Sequence, residues 1–137
     1  MNHLYLHLKL NRHRLAGVVA LLLWLGAGQS VRAQTGDRGR GADLFSTHCA
    51  ECHSMKEGKN KKGPSLFGVS GAKAAQREGF AYSDAMKSSQ IVWNAETLSR
   101  YLGNPKAVVP GGKMKYEGLE SAAERAELIA YIASQGK

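Results

Sequence analysis

Cys49-Ala50-Glu51-Cys52-His53 places two thiols three residues apart, with an imidazole directly behind the second. On a helical turn, residues i and i+3 project from one face, so both sulfurs can bond to one flat group. The next side chain can then swing its ring nitrogen over that group toward a central metal. This spacing reads as covalent c-type haem attachment, with two thioether bonds and one axial histidine. Two other chemistries share part of the pattern: a thiol–disulfide pair and half of a zinc site. The first calls for a βαβ framework and the second for two further ligands at matching spacing. The chain has only these two cysteines, and no strand–helix alternation follows them. Haem attachment is therefore the reading carried forward.

Upstream of the motif the composition changes character. Lys9, Arg12 and Arg14 stand in a segment without acids, Leu15 to Leu25 is apolar, and Val31-Arg32-Ala33 ends the stretch with small residues. A basic segment, a short apolar one and a small-x-Ala site form the pattern of a secretory signal. Residues 1–33 are expected to be a cleaved signal peptide and 34–137 a single haem domain. A retained membrane anchor is the competing reading, although a span takes about 20 mostly apolar residues and the strongly apolar part is shorter. Either way the haem domain is expected outside the cytoplasm, in the periplasm. There, thioether bonds consume two thiols that would otherwise tend to oxidise.

Half of the formal charge of +8 belongs to the leader. Removing Lys9, Arg12, Arg14 and Arg32 leaves 15 basic against 11 acidic residues, a balance of +4 over residues 34–137. No basic run is interleaved with aromatics, and Lys59 to Lys62 is short, so nucleic-acid binding is excluded as the reason for the high pI. A modest positive balance suits docking on acidic protein surfaces. The 104 residues from Gln34 onward are few for an independent core, so the haem is expected to form part of it.

Periodicity predicts an all-α domain with long loops. A helix capped by Asp37 runs to about the first cysteine, with Gly41, Leu44, Phe45 and His48 at helical spacings. A glycine inside a helix costs about 1 kcal/mol relative to Ala, so Gly41 is expected to serve a close helix crossing. Ser54 to Gly79, rich in glycine and lysine, reads as a long loop with the task of wrapping a haem edge. Ser83 to Ser89 is a short helix, and Asn94 to Leu102 is another, capped by Asn94 and stopped by Asn104-Pro105. Val108 to Gly118 is a second loop. Ser121 opens the last helix with Glu124 as a capping box, and Leu128, Ile129, Tyr131 and Ile132 form its buried stripe.

One axial histidine leaves the opposite iron face to be filled, and its occupant decides between electron transfer and ligand chemistry. His3, His7 and His13 lie in the leader. His48 points off the attachment helix, Met55 is too near His53 to reach the far face, and Met86 sits in a helix where packing is its usual role. Met114 lies 61 residues beyond His53, in Pro110-Gly111-Gly112-Lys113-Met114, where glycines let the backbone approach the ring. It is the preferred sixth ligand, with packing on apolar neighbours as the alternative.

Cys49 to His53, Gly63-Pro64, Asn104-Pro105-Lys106, Pro110 to Met114 and the Leu128 to Tyr131 helix together resemble a class I c-type cytochrome of the mitochondrial and α-proteobacterial kind. The likeness covers nearly all of residues 36 to 137. It implies the cytochrome c fold, helices and long loops wrapped around one covalently bound haem c, and an electron carrier rather than an enzyme. It implies that Gly41 and Phe45 pack against Leu128 and Tyr131, and that Pro64 accepts the Nδ1 proton of His53. Tyr82 and Trp93 would hydrogen-bond a haem propionate, and Tyr101 would lie near the Met114 sulfur. Lys61, Lys62, Lys106 and Lys113, with Lys115 at the margin, would match the family's docking ring. The partners implied are redox proteins: a quinol–cytochrome c oxidoreductase, and a terminal oxidase, reaction centre or dehydrogenase. A monomer is expected.

The departures are as informative. Ala72 stands where the family commonly has an arginine near the propionates, Met86 where it often has asparagine, and Gly112 where it has threonine. A reduced polar network beneath the haem is expected. Asp43, Glu120 and Ser121 replace lysines frequent in mitochondrial members, so one arc of the ring is thinner. Two alternatives stay open at this level. One is a haem enzyme or gas-binding protein with an open sixth position, and the other is a tethered or subunit haem domain.

Overall fold

The computed structural model describes residues 35–136, and the expected signal peptide lies outside them. Five helices follow in order: α1 (Thr35–His48), α2 (Asp84–Ser88), α3 (Ala95–Gly103), α4 (Pro105–Val108) and α5 (Ala122–Ser134). Among the described residues there is no strand, only one isolated antiparallel bridge between Lys73 and Val92. The all-α reading therefore holds, and none of these helices is long and apolar enough to cross a membrane.

The terminal helices α1 and α5 cross in close contact. Their crossing explains Gly41. A Cβ there would stand 2.5 Å from the Glu127 carbonyl oxygen and 2.7 Å from Tyr131 Cβ, so only hydrogen fits. One turn on, the Phe45 and Tyr131 rings meet with centroids 5.7 Å apart. Leu128 is fully buried and Ile132 nearly so, which anchors α5 in the core. At the rim, Arg40 Nε forms an ion pair with Glu127 Oε2 at 2.8 Å. The expected cap at Asp37 is corrected: Asp37 lies inside α1, where a cap does not stand.

α3 follows the sequence closely. The Asn94 side chain accepts from Thr97 N at 2.9 Å and the Thr97 hydroxyl accepts from Asn94 N at 2.9 Å, a reciprocal capping box. Leu98, Tyr101 and Leu102 form its buried face. Asn104-Pro105 does end α3, but it also starts a one-turn helix. Asn104 accepts from Ala107 N, and Pro105 stands at the first helical position, where its missing N–H costs nothing. At Ser121 the box is half made: its hydroxyl accepts from Glu124 N, while the Glu124 carboxylate turns toward Arg40 at 3.7 Å.

The long segment of residues 54–79 is irregular, and several of its polar groups are paired within it. The Ser65 hydroxyl donates to the Lys56 carbonyl at 2.6 Å, and the Asn60 amide bridges Ser65 N and the Glu78 carbonyl. Three backbone bonds, from Gly71 N to Trp93 O, Trp93 N to Ala72 O and Ala74 N to Ile91 O, zip the loop to the segment before α3. Such pairing answers the backbone donors that an irregular, half-buried segment must place somewhere.

Candidate haem site

Past His48 the chain continues one more helical turn. Cys49 N bonds the Phe45 carbonyl at 2.9 Å, and His53 N bonds the Cys49 carbonyl at 2.8 Å. That i to i−4 bond gives Cys49-Ala50-Glu51-Cys52-His53 the turn its spacing calls for. Cys49 is buried and Cys52 exposed, without a disulfide between them. Burial, with Cys52 adding to it, pushes the Cys49 thiol up to about 11. A thiol–disulfide exchange site works the other way, with a thiolate stabilised near neutral pH. No cluster of three or more His, Cys, Asp and Glu side chains able to hold a metal occurs among the described residues, so a zinc site lacks its further ligands.

His53 is clamped between two backbone features. Its Nδ1 lies 2.8 Å from the Pro64 carbonyl oxygen. A carbonyl only accepts, so Nδ1 carries the proton and Nε2 is left with a lone pair. Burial lowers the imidazole pKa, with the Pro64 bond opposing and the Lys61 charge assisting. A neutral ring follows, the form in which imidazole binds metals. Gly63 makes the room: a Cβ there would sit 2.4 Å from His53 Cε1.

These residues open onto one cavity of about 590 Å³. That volume falls within the range of about 300–1,000 Å³ typical of cofactor-sized sites. Cys49, Cys52, His53, Pro64, Tyr82, Trp93, Tyr101 and Met114 all line it. The structure thus brings together every site residue expected from the sequence. Trp93 and Tyr101 are buried and pack with ring centroids 5.0 Å apart, while Phe80 and Tyr82 meet edge-to-face at 4.8 Å. Burial raises the phenol pKa of Tyr101, and also that of Tyr82, where contact with the Arg77 backbone and charge works against it.

Met114 is half-buried against the core and reaches the cavity from the loop after α4. The loop turns sharply: Gly112 N bonds the Val109 carbonyl at 2.9 Å, and Gly111 has φ +84°. Proline at the second and left-handed glycine at the third position mark a type II turn. The physical use of Gly111 is therefore this turn, which presents the following Lys113-Met114 to the cavity.

The lysines expected on the docking face are partly engaged. Lys62 pairs with Glu51 at 2.5 Å, Lys106 with Glu117 at 2.6 Å, and Lys61 donates to the Ala50 carbonyl. Lys62 and Lys113 line the cavity and are exposed, and Lys113 has no ion-pair partner among the described residues.

Two cavity residues escaped the sequence reading. Arg77 Nη2 and the Tyr116 hydroxyl are buried and have no hydrogen-bond partner among the described residues. Neither stands in a motif, and Arg77 lies in the irregular loop, where spacing carries no directional information. Only sign could have flagged it, as a cation five residues after the arginine-lacking Ala72. The cavity, the glycine cradle under His53 and the set of two thiols, one imidazole nitrogen and one thioether fit a covalently attached haem.

A family model described as Cytochrome c matches residues 39–136. The chain is similar to "Cytochrome c" from Gibberella zeae, 48% identical over 103 residues, covering 74% of this chain and 97% of that one. It is 46% identical over 103 residues to "Cytochrome c" from Stellaria longipes, covering 74% and 95% respectively. The corresponding protein of Arabidopsis thaliana is 44% identical over 103 residues, with 74% and 92% covered.

Proposed function

This chain belongs to the cytochrome c family, and from that premise we propose an exported electron carrier whose haem is anchored by Cys49 and Cys52 and ligated by His53 and Met114. Members of the family carry electrons on one covalent haem c and are not enzymes, and the two cysteines fit that attachment. The observation that carries the ligation reading is the 2.8 Å bond from His53 Nδ1 to Pro64. It directs the remaining lone pair on Nε2 to metal binding, in a cavity wall shared with both cysteines and Met114.

Bound there, the haem iron supplies a reversible one-electron change between ferric and ferrous states. The chain's own residues decide how easily. Pro64 fixes the orientation of the imidazole and strengthens it as a donor. The Met114 thioether favours the ferrous state and raises the potential. Val69, Leu98, Leu102 and Ile132 wall the cavity with buried apolar surface, which keeps water from rearranging around the iron as its charge changes. Tyr82 and Trp93 supply polar edges for a propionate, and Tyr101 packs on Trp93 and lines the cavity beside it. Lys61, Lys62, Lys106 and Lys113 form the docking face for redox partners such as a quinol–cytochrome c oxidoreductase and a terminal oxidase, reaction centre or dehydrogenase. Residues 1–33 act as a signal peptide that delivers residues 34–137 to the periplasm.

An optical spectrum tests the ligation. The ferric protein is expected to show the near-red absorption band of methionine–sulfur ligation, and Met114→Ala to lose it and to bind carbon monoxide when reduced. Absence of the band from the unmodified protein would favour a haem protein with an open sixth position. N-terminal sequencing of the native protein should begin at Gln34.

A further inference from the structure

We infer that Arg125 is a positioning residue for Met114, holding the far end of the ligand loop to α3 so that the sulfur stays at the cavity. The inference rests on the reading of Met114 as an axial ligand and adds to it the residue that secures the loop. Met114 stands in a stretch with little of its own to fix it. Among the described residues, no backbone group of residues 113–118 takes part in a backbone hydrogen bond. The upstream end is tied by the bond from Gly112 N to the Val109 carbonyl. The downstream end is tied at residues 118–120, and Arg125 stands at the centre of that tie.

Three bonds meet on the half-buried guanidinium. Nη1 donates to the Leu119 carbonyl at 2.6 Å and to the Glu120 carbonyl at 2.8 Å. Nε donates to the Ser99 hydroxyl of α3 at 3.3 Å. One side chain of α5 thereby joins the loop to the helix whose Leu98, Tyr101 and Leu102 line the cavity. Beside it, Leu119 N bonds the Leu102 carbonyl at 2.8 Å, and Gly118 lies so close to α3 that a Cβ there would strike the Gly103 carbonyl oxygen. The other polar side-chain contact of the segment, Lys106 with Glu117, is an exposed ion pair, and such pairs hold little. Hydrogen bonds from a guanidinium to carbonyl oxygens are charge-assisted and stronger than neutral ones, so the Arg125 fork is the strongest polar restraint on this end. Leu119 is five residues from Met114, and slack at one reaches the other through backbone that has no bonds of its own. The loop therefore has a closed state with Met114 at the iron and an open one with the sixth position free, and the fork favours the closed one.

Imidazole added to the ferric holoprotein competes with Met114 for the iron, and loss of the methionine–sulfur band reads the exchange. Arg125→Gln is expected to bind imidazole several-fold and up to about tenfold more tightly than the unmodified protein, because apparent affinity scales with the population of the open loop. Arg125→Lys, which keeps a charged donor without the fork, should fall between the two. Gly41→Ala weakens the α1–α5 crossing without touching the fork, so it should lower the melting temperature and change imidazole affinity much less. Coupling is reciprocal. In the unmodified holoprotein, saturating imidazole should therefore speed hydrogen exchange at the Leu119 N–H but not at that of Ile132. This second measurement decides the matter if Arg125→Gln does not assemble. Unchanged imidazole affinity in Arg125→Gln with the band intact, or Leu119 exchange indifferent to imidazole, would overturn the assignment alone. A missing band in the unmodified protein would overturn the ligation reading, and this inference with it.

Discussion

Gly63 and His53 show how much of the site depends on a single absent methyl group. With a Cβ at residue 63 only 2.4 Å from His53 Cε1, the ring must move or the loop must. Gly63→Ala is therefore expected to break the bond to Pro64 and to weaken axial ligation at His53, read as a loss of the low-spin haem spectrum. Tyr101 makes the complementary case for charge. Its burial raises the phenol pKa above the ordinary 10.0, so the folded state holds its proton where the unfolded chain releases it. The contribution to stability is full below pH 10 and is lost as pH rises through the folded value. Melting temperature should fall more steeply above pH 10 in the natural protein than in Tyr101→Phe.

At the scale of elements, the crossing of α1 and α5 is the joint that closes the chain, and Gly41 is its pivot. Alanine there would gain about 1 kcal/mol of helix propensity. It would also drive a methyl into the Glu127 carbonyl at 2.5 Å, backbone that has no rotamer to escape into. Overpacking of this kind costs about 1–3 kcal/mol, and here the obstacle is rigid, so the upper part of that range applies. Gly41→Ala should lower the melting temperature by several degrees, at about 4–8 °C per kcal/mol in a domain of this size. Thermal denaturation of the holoprotein measures it.

Across the whole molecule, the cavity and the surface charge each lead to a measurable consequence. The cavity of about 590 Å³ opens to water and is walled by Val69, Leu98, Leu102 and Ile132, so without the haem this core surface is left hydrated and its burial no longer stabilises the fold. The haem-free chain should be largely unfolded, with weak helical circular dichroism and no cooperative melt. The lysines around the opening, although Lys62 and Lys106 are paired, are exposed, and pairs of that kind are weak and readily rearranged by a partner. Electron-transfer rates with an acidic partner should fall as salt is raised, because screening shortens the reach of the docking charges. A rate indifferent to salt would remove the basic docking face.

Local rules explain why so much was legible beforehand. The turn at Cys49 to His53, the cap at Asn94 and Thr97 and the proline stop at Pro105 depend on residues within four positions of one another. Their chemistry is written in spacing, and so are the buried stripes of α3 and, apart from half-buried Tyr131, of α5. The second life of Asn104-Pro105 as a helix opening and the rotation of Glu124 toward Arg40 were not legible, because each depends on what a neighbouring element offers. The same holds for the backbone bonds that join residues 71–74 to 91–93. Arg77 marks the limit most clearly: nothing in its spacing shows that the fold of an irregular loop buries one of its guanidinium nitrogens. Short-range hydrogen bonding and periodicity belong to the chain by itself, but the direction of a long side chain in a loop depends on every wall it meets.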